Sequence, residues 1–147
     1  MPVNFAHEML LIPALDFIMP RVTRAALIQA SNALSESDDF AKVKAANVKK
    51  TMTLMQQASK AGAQVCCLQE IFYGPYFCAE QDAKWYEMAE TIPDGPTITL
   101  MKKAAKDLKM VMVVPIYEME MAGVYYNAAA VIDEQGNYLG KYRKSHI

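Results

Sequence analysis

Cysteine is scarce in this chain: Cys66, Cys67 and Cys78 are all there is. Two are sequence neighbours and the count is odd, which argues against the disulfide framework of a small secreted domain. Reduced thiols in a cytoplasmic protein fit this usage better. Histidine is scarcer still, with only His7 and His146. Neither is near the cysteines in sequence, and there is no C-x-x-C pair, so no metal site is expected. Charge of one sign is also missing. Lys+Arg 15 stand against Asp+Glu 16, which gives no basic footprint for nucleic acid and no acidic tail. No apolar run approaches the ~20 residues that cross a bilayer. The nearest, MLLIPALDFIMP (Met9 to Pro20), is broken by Pro13 and Asp16, and no Lys or Arg precedes it. It has neither the length of a membrane span nor the basic flank of a secretory signal.

What is present suits one globular domain. The hydrophobic fraction is 53% and the charged fraction 21%, a composition that can form a core. Val22 to Ala30 reads as a buried strand. Phe40 to Ala61 has a helical pattern, with Ala41, Ala45, Val48, Met52, Met55 and Ala58 at three- and four-residue steps. Gly62 falls where a left-handed C-cap belongs. Ala63 to Glu70 is a second strand, which makes a βαβ unit with parallel strands. A Gly-Pro turn and a short helix over Gln81 to Ala89 follow. Pro96 opens a further helix that buries Ile98, Met101, Ala105 and Leu108. Three strands complete the chain: Val111 to Glu118, Val124 to Ile132, and Tyr138 towards Lys144. Pro115 argues for an edge or a bulge in the first of them. The order β-α-β-α-α-β-β-β is a mixed α/β layer structure. Two helices do not cover five apolar strands on both faces, so further protein is expected over the rest.

Few residues offer chemistry. Glu70 ends an apolar strand, where ligands gather in α/β sheets. Phe72, Tyr73 and Tyr76 beside it would desolvate the carboxylate, raise its pKa and favour a base. The competing reading is a solvated strand-end glutamate. Lys144, turned inward, would stabilise an oxyanion. Turned outward with Lys141 and Arg143, it is a charged edge strand that resists aggregation. His146 reads as structural. Cys66 and Cys67 occupy an apolar strand and point to opposite faces, as core thiols do. Cys78 is in a loop, and no basic partner is close to it in sequence. Trp85 and Tyr86 read as a packing anchor.

The stretches CLQEIFYGPYFC, IPDGPTITLMKKAAKDLKMVMVVPIYE, GVYYNAAAVID and LGKYRKSHI resemble the nitrilase, or carbon–nitrogen hydrolase, superfamily. Within it they are closest to the β-ureidopropionase and N-carbamoyl amidohydrolase branch. The resemblance runs from about Met19 to the last residue. It implies the N-terminal half of an α-β-β-α sandwich. Residues 1–18 are then an extension, and 19–147 a truncated hydrolase domain. It also implies a Glu-Lys-Cys triad, with Glu70 as general base and Lys144 as oxyanion stabiliser. The nucleophilic cysteine would lie beyond Lys144, since Cys66, Cys67 and Cys78 match no nucleophile position. Phe72, Tyr73 and Tyr76 would wall the pocket, and Asn127 matches a recurrent family position.

The implied reaction is hydrolysis of a small N-carbamoyl compound resembling N-carbamoyl-β-alanine, without metal or cofactor, in a homo-oligomer that binds neither nucleic acid nor membrane. N-carbamoylputrescine or another linear amide is the alternative substrate. A non-catalytic module that pairs with another copy or a full-length relative, and a thiol enzyme using Cys78, are the competing functions.

Overall fold

A computed structural model describes residues 22–35, 39–77, 80 and 82–146. The Met9 to Pro20 segment, the extension 1–18 and Cys78 lie outside the described residues.

The first apolar run forms β1, Ala25–Ile28. It is shorter than expected and not buried, for Leu27 is 83% exposed. Alternate residues point to opposite faces: Ala26 and Ile28 of this edge strand pack against the core, whereas Leu27 lies on the other face. Helix α1, Phe40–Lys60, starts at Asp39, whose carboxylate accepts from Lys42 N at 3.2 Å. It ends at Gly62, with φ +82°, a left-handed value that glycine adopts without strain. Ala63 N then closes onto Ala58 O at 3.0 Å, which satisfies a terminal carbonyl.

The buried line of α1 differs from the sequence expectation. It is Val43, Asn47, Thr51 and Met55, whereas Ala41 and Ala45 are exposed. Two polar residues can occupy this line because the preceding loop satisfies Asn47. Its Oδ1 accepts from Ala33 N at 2.8 Å, and its Nδ2 donates to Asn32 Oδ1 at 3.0 Å. A reading of apolar steps alone rotates the helix away from such a line.

Strand β2, Val65–Leu68, pairs in parallel with β1 and with β3, Val111–Met121. A 3-10 helix, Ala83–Met88, stands for the expected short helix. Helix α2, Pro96–Leu108, buries Thr97, Ile98, Met101, Ala104 and Ala105. Strands β4, Val124–Ile132, and β5, Tyr138–Arg143, complete an antiparallel run. The sheet order is β1-β2-β3-β4-β5.

Pro115 lies in the central strand, yet its missing N–H breaks no ladder. Odd-numbered residues of β3 aim their backbone groups at the β2 side, as Val111 N to Gln64 O at 2.9 Å and Met119 N to Glu90 O at 2.9 Å show. Pairing with β2 ends at Val113. Pro115 therefore sits on a locally open edge, where proline is tolerated.

Both helices cover one face of the sheet. Met112, Val114, Ile116, Ala130 and Ile132 point into it and pack with Met55, Ile98 and Met101. Each large side chain buried this way contributes roughly 1.5–3 kcal/mol. The opposite face carries Leu27, Cys67, Val113, Val131 and Tyr142. Leu27 and Tyr142 on it are exposed.

Candidate active site

The site forms where the strands run out. After β2, Gln69 is tied to the end of β1 by accepting a hydrogen bond from Ala30 N. Glu70 comes next. Ile71 then takes a left-handed φ of +48° and is buried. That conformation is costly for a β-branched residue, on the order of 1–3 kcal/mol. It turns the chain sharply and separates the side chains on either side of the bend. Ile71, Phe72 and Tyr73 enter the core, and Glu70 stays at the surface of the strand ends.

Lys144 directly follows β5. Its backbone N donates to Asn127 O at 2.8 Å, which continues the β4–β5 ladder by one step. Its Nζ donates to Glu70 Oε1 at 2.9 Å. Asn127 Nδ2 donates to the same oxygen. Residues 74 positions apart in the chain thus meet on one carboxylate. Among the described residues, the second oxygen, Oε2, accepts no hydrogen bond, which leaves a lone pair available to a proton.

The electrostatics reverse one expectation. The Lys144 hydrogen bond lowers the Glu70 pKa, burial opposes it, and the Asn127 hydrogen bond lowers it further. The net shift is downward, not the upward shift expected from aromatic desolvation. The reason is geometric. Phe72 and Tyr73 are buried in the core, and Tyr73 OH donates to Met88 O at 2.9 Å and accepts from Tyr117 N at 3.1 Å. Neither ring screens Glu70 from water, and its side chain is 40% exposed. Of the three expected wall residues, Tyr76 lines a cavity with Glu70. That cavity, of about 400 Å³, is also bounded by Gln29, Asn32 and Gln69.

A second cavity of about 430 Å³ is bounded by Phe77, Trp85, Tyr86 and Tyr117, with Glu80 and Asp82 at its rim. Trp85 stacks on Phe77 with centroids 5.7 Å apart, and Tyr86 stacks on Tyr125 at 4.6 Å. Trp85 packs against the core as an anchor, whereas Tyr86 is 53% exposed and rests on Tyr125 at the surface. Tyr117 is the cross-strand neighbour of Asn127, so this aromatic cavity adjoins the Glu70 cluster.

Cys66 is buried, and burial followed by the charge of Cys67 pushes its thiol up to about 11. A thiol held protonated in this way is a poor nucleophile at neutral pH. His146 is exposed. Among the described residues, no group of three or more His, Cys, Asp or Glu side chains is arranged to hold a metal ion, and no helix is long and apolar enough to cross a membrane.

No sequence motif marks Glu118. It sits in β3 on the core-facing side and is fully buried. Arg143 Nε and Nη2 donate to its two oxygens at 2.8 and 2.9 Å, and Lys141 Nζ donates to Oε1. The alternative of a solvated basic strand fails for Lys141 and Arg143, which face a buried carboxylate. Alternation held the signal. Glu118 follows Met112, Val114 and Ile116 at steps of two, and a charge on a core-facing row needs a partner.

A family model described as carbon-nitrogen hydrolase matches residues 24–147. N-carbamoylputrescine amidase from Oryza sativa subsp. japonica is 40% identical over 105 residues, which cover 71% of this chain and 35% of that protein. Beta-ureidopropionase from Arabidopsis thaliana is 35% identical over 130 residues, covering 87% of this chain and 32% of that protein. The chain therefore spans about a third of the length of these relatives. A carbon-nitrogen hydrolase from Helicobacter pylori G27 shares the fold, with a TM-score of 0.74 at 24% identity over 85% of this chain and 40% of that one.

Proposed function

Because the chain belongs to the carbon–nitrogen hydrolase family, we propose that it supplies the base and the oxyanion-binding cation for hydrolysis of a linear, non-peptide C–N bond. The observation that carries this reading is the convergence of Lys144 and Asn127 on one oxygen of Glu70.

In the proposed reaction a cysteine thiol outside these 147 residues attacks the carbamoyl or amide carbon. Glu70 Oε2 takes the thiol proton as the C–S bond forms. The carbonyl oxygen becomes an oxyanion and is stabilised by the Lys144 ammonium. Collapse breaks the C–N bond, and Glu70 returns the proton to the leaving nitrogen. Water, deprotonated by Glu70, then attacks the thioester carbon and releases the thiol. The low Glu70 pKa keeps the carboxylate ionised at neutral pH, ready to accept the first proton.

The names of the relatives, N-carbamoylputrescine amidase and beta-ureidopropionase, support a small N-carbamoyl compound as substrate. N-carbamoyl-β-alanine is the first choice, and N-carbamoylputrescine the alternative. A homo-oligomer is part of the same proposal, supported by the exposed apolar side chains Leu27 and Tyr142 on the open sheet face. So is a cytoplasmic setting, supported by the free thiols of Cys66 and Cys67.

Ammonia release from both substrates tests the reading, with this chain assayed beside a version extended through the cysteine-bearing segment. The extended protein is expected to turn over, and E70Q and K144M are each expected to lower its kcat by ~100-fold or more. Turnover that persists in E70Q at the wild-type rate would refute it.

A further inference from the structure

Lys144 hangs on a strand that is gripped from behind. Neighbouring residues of a strand point to opposite faces. Arg143 pairs across the sheet with Ala128, on the helix-covered face, whereas Lys144 continues the row of Tyr142 on the open face. Behind the strand, Arg143 makes a two-pronged contact with buried Glu118, reaches Glu120 at 2.8 Å, and lies over the Tyr126 ring at 3.9 Å. Lys141, two residues back, donates to the same Glu118 carboxylate. A guanidinium held by a planar fork and a ring face has little freedom to rotate or slide. The peptide that links Arg143 to Lys144 is held with it.

We propose that Glu118 is a positioning residue: by clamping Lys141 and Arg143 on the core side of β5, it holds the neighbouring Lys144 ammonium against Glu70 on the open side. This rests on the functional reading above and adds the group that sets its geometry. The clamp stays charged through the working pH range. Burial pushes the Glu118 carboxyl up, but hydrogen bonds from Arg143 and Lys141 outweigh it and hold it below the usual carboxylate range.

The test is a carboxyl-carbon NMR titration of Glu70 in this chain, in wild type, E118Q, R143K, K144M and the E118Q/K144M double variant. The proposal predicts that Glu70 gains proton affinity in E118Q, by about threefold to tenfold, because Lys144 drifts away. R143K, which keeps the charge and loses the fork, is predicted to move it the same way by less. E118Q is predicted to add nothing once Lys144 is already Met. The sign separates position from simple charge. Deleting a nearby anion without moving Lys144 would lower the Glu70 pKa, whereas losing Lys144 raises it. A merely stabilising Glu118 would lower the unfolding midpoint and leave the Glu70 titration unmoved. Glu70 titrating as in wild type, or lower, in either folded single variant overturns the proposal. Should E118Q fail to fold, R143K decides, because its side chain is 27% exposed and substitution leaves no buried charge without Lys141. The titration needs no turnover, so an extended protein that fails to hydrolyse C–N bonds would refute the function and leave this result standing.

Discussion

Asn127 does two jobs with one residue. Its side-chain amide donates to Glu70, and its backbone carbonyl receives Lys144 N at 2.8 Å. Substitution separates them. N127A removes the first bond and keeps the second, so Lys144 stays in place. The Glu70 pKa is expected to rise, and by less than in K144M, because the lysine is the larger cause of its depression. The same carboxyl titration checks this order. The linkage sign follows. Glu70 binds a proton less readily folded than unfolded. Its pair therefore contributes stability above the unfolded value of about 4.3, and that contribution is lost as pH falls through the lower folded value.

Helix α2 shows how one element is seated by a residue outside it. Glu90 is buried and accepts from Thr97 N at 2.7 Å and Thr97 Oγ1 at 2.6 Å. A carboxylate there answers both the unpaired N–H groups and the positive end of the helix dipole. Lys44 of α1 pairs with the same carboxylate, and Glu90 bridges by its backbone to Tyr117 and Met119 of β3. One glutamate thus joins α1, α2 and the sheet. E90A leaves Lys44 and the helix end without their partner, and is expected to cost about 3 kcal/mol in urea unfolding. T97V loses only the hydroxyl bond, for about 1 kcal/mol. Gly95 is under a different constraint. A Cβ there would meet Thr91 O at 2.4 Å, so G95A is expected to destabilise the same junction.

For the whole molecule, acid is the informative variable. Glu118 and Glu70 both have folded pKa values held low by cationic partners. Stability is then expected to be full above about pH 4.3, the unfolded carboxyl value, and to fall as both groups are forced to protonate below it. Urea midpoints measured from pH 7 to pH 3 check the slope. E118Q is expected to be less stable at pH 7 and to lose less on acidification, because one linked carboxylate is gone. The methionine-rich core should respond differently. Met112 is fully buried between sheet and helices, and M112A is expected to cost ~2–5 kcal/mol at every pH in this range, as a cavity has no proton to exchange.

Local pattern was enough to determine the element order, the turns at Gly62 and Pro96, and the standing of Glu70 and Lys144 as candidates. Those features depend on neighbours a few positions away. Tertiary structure decided the rest. The buried line of α1 depended on which polar side chains a distant loop satisfied, and the tolerance of Pro115 depended on where β2 stops. The sign of the Glu70 pKa was decided by a lysine 74 residues away and by a bend that sent Phe72 and Tyr73 into the core. Charge energies depend on distance in space, and a linear sequence carries that distance only once strand register has brought the partners together.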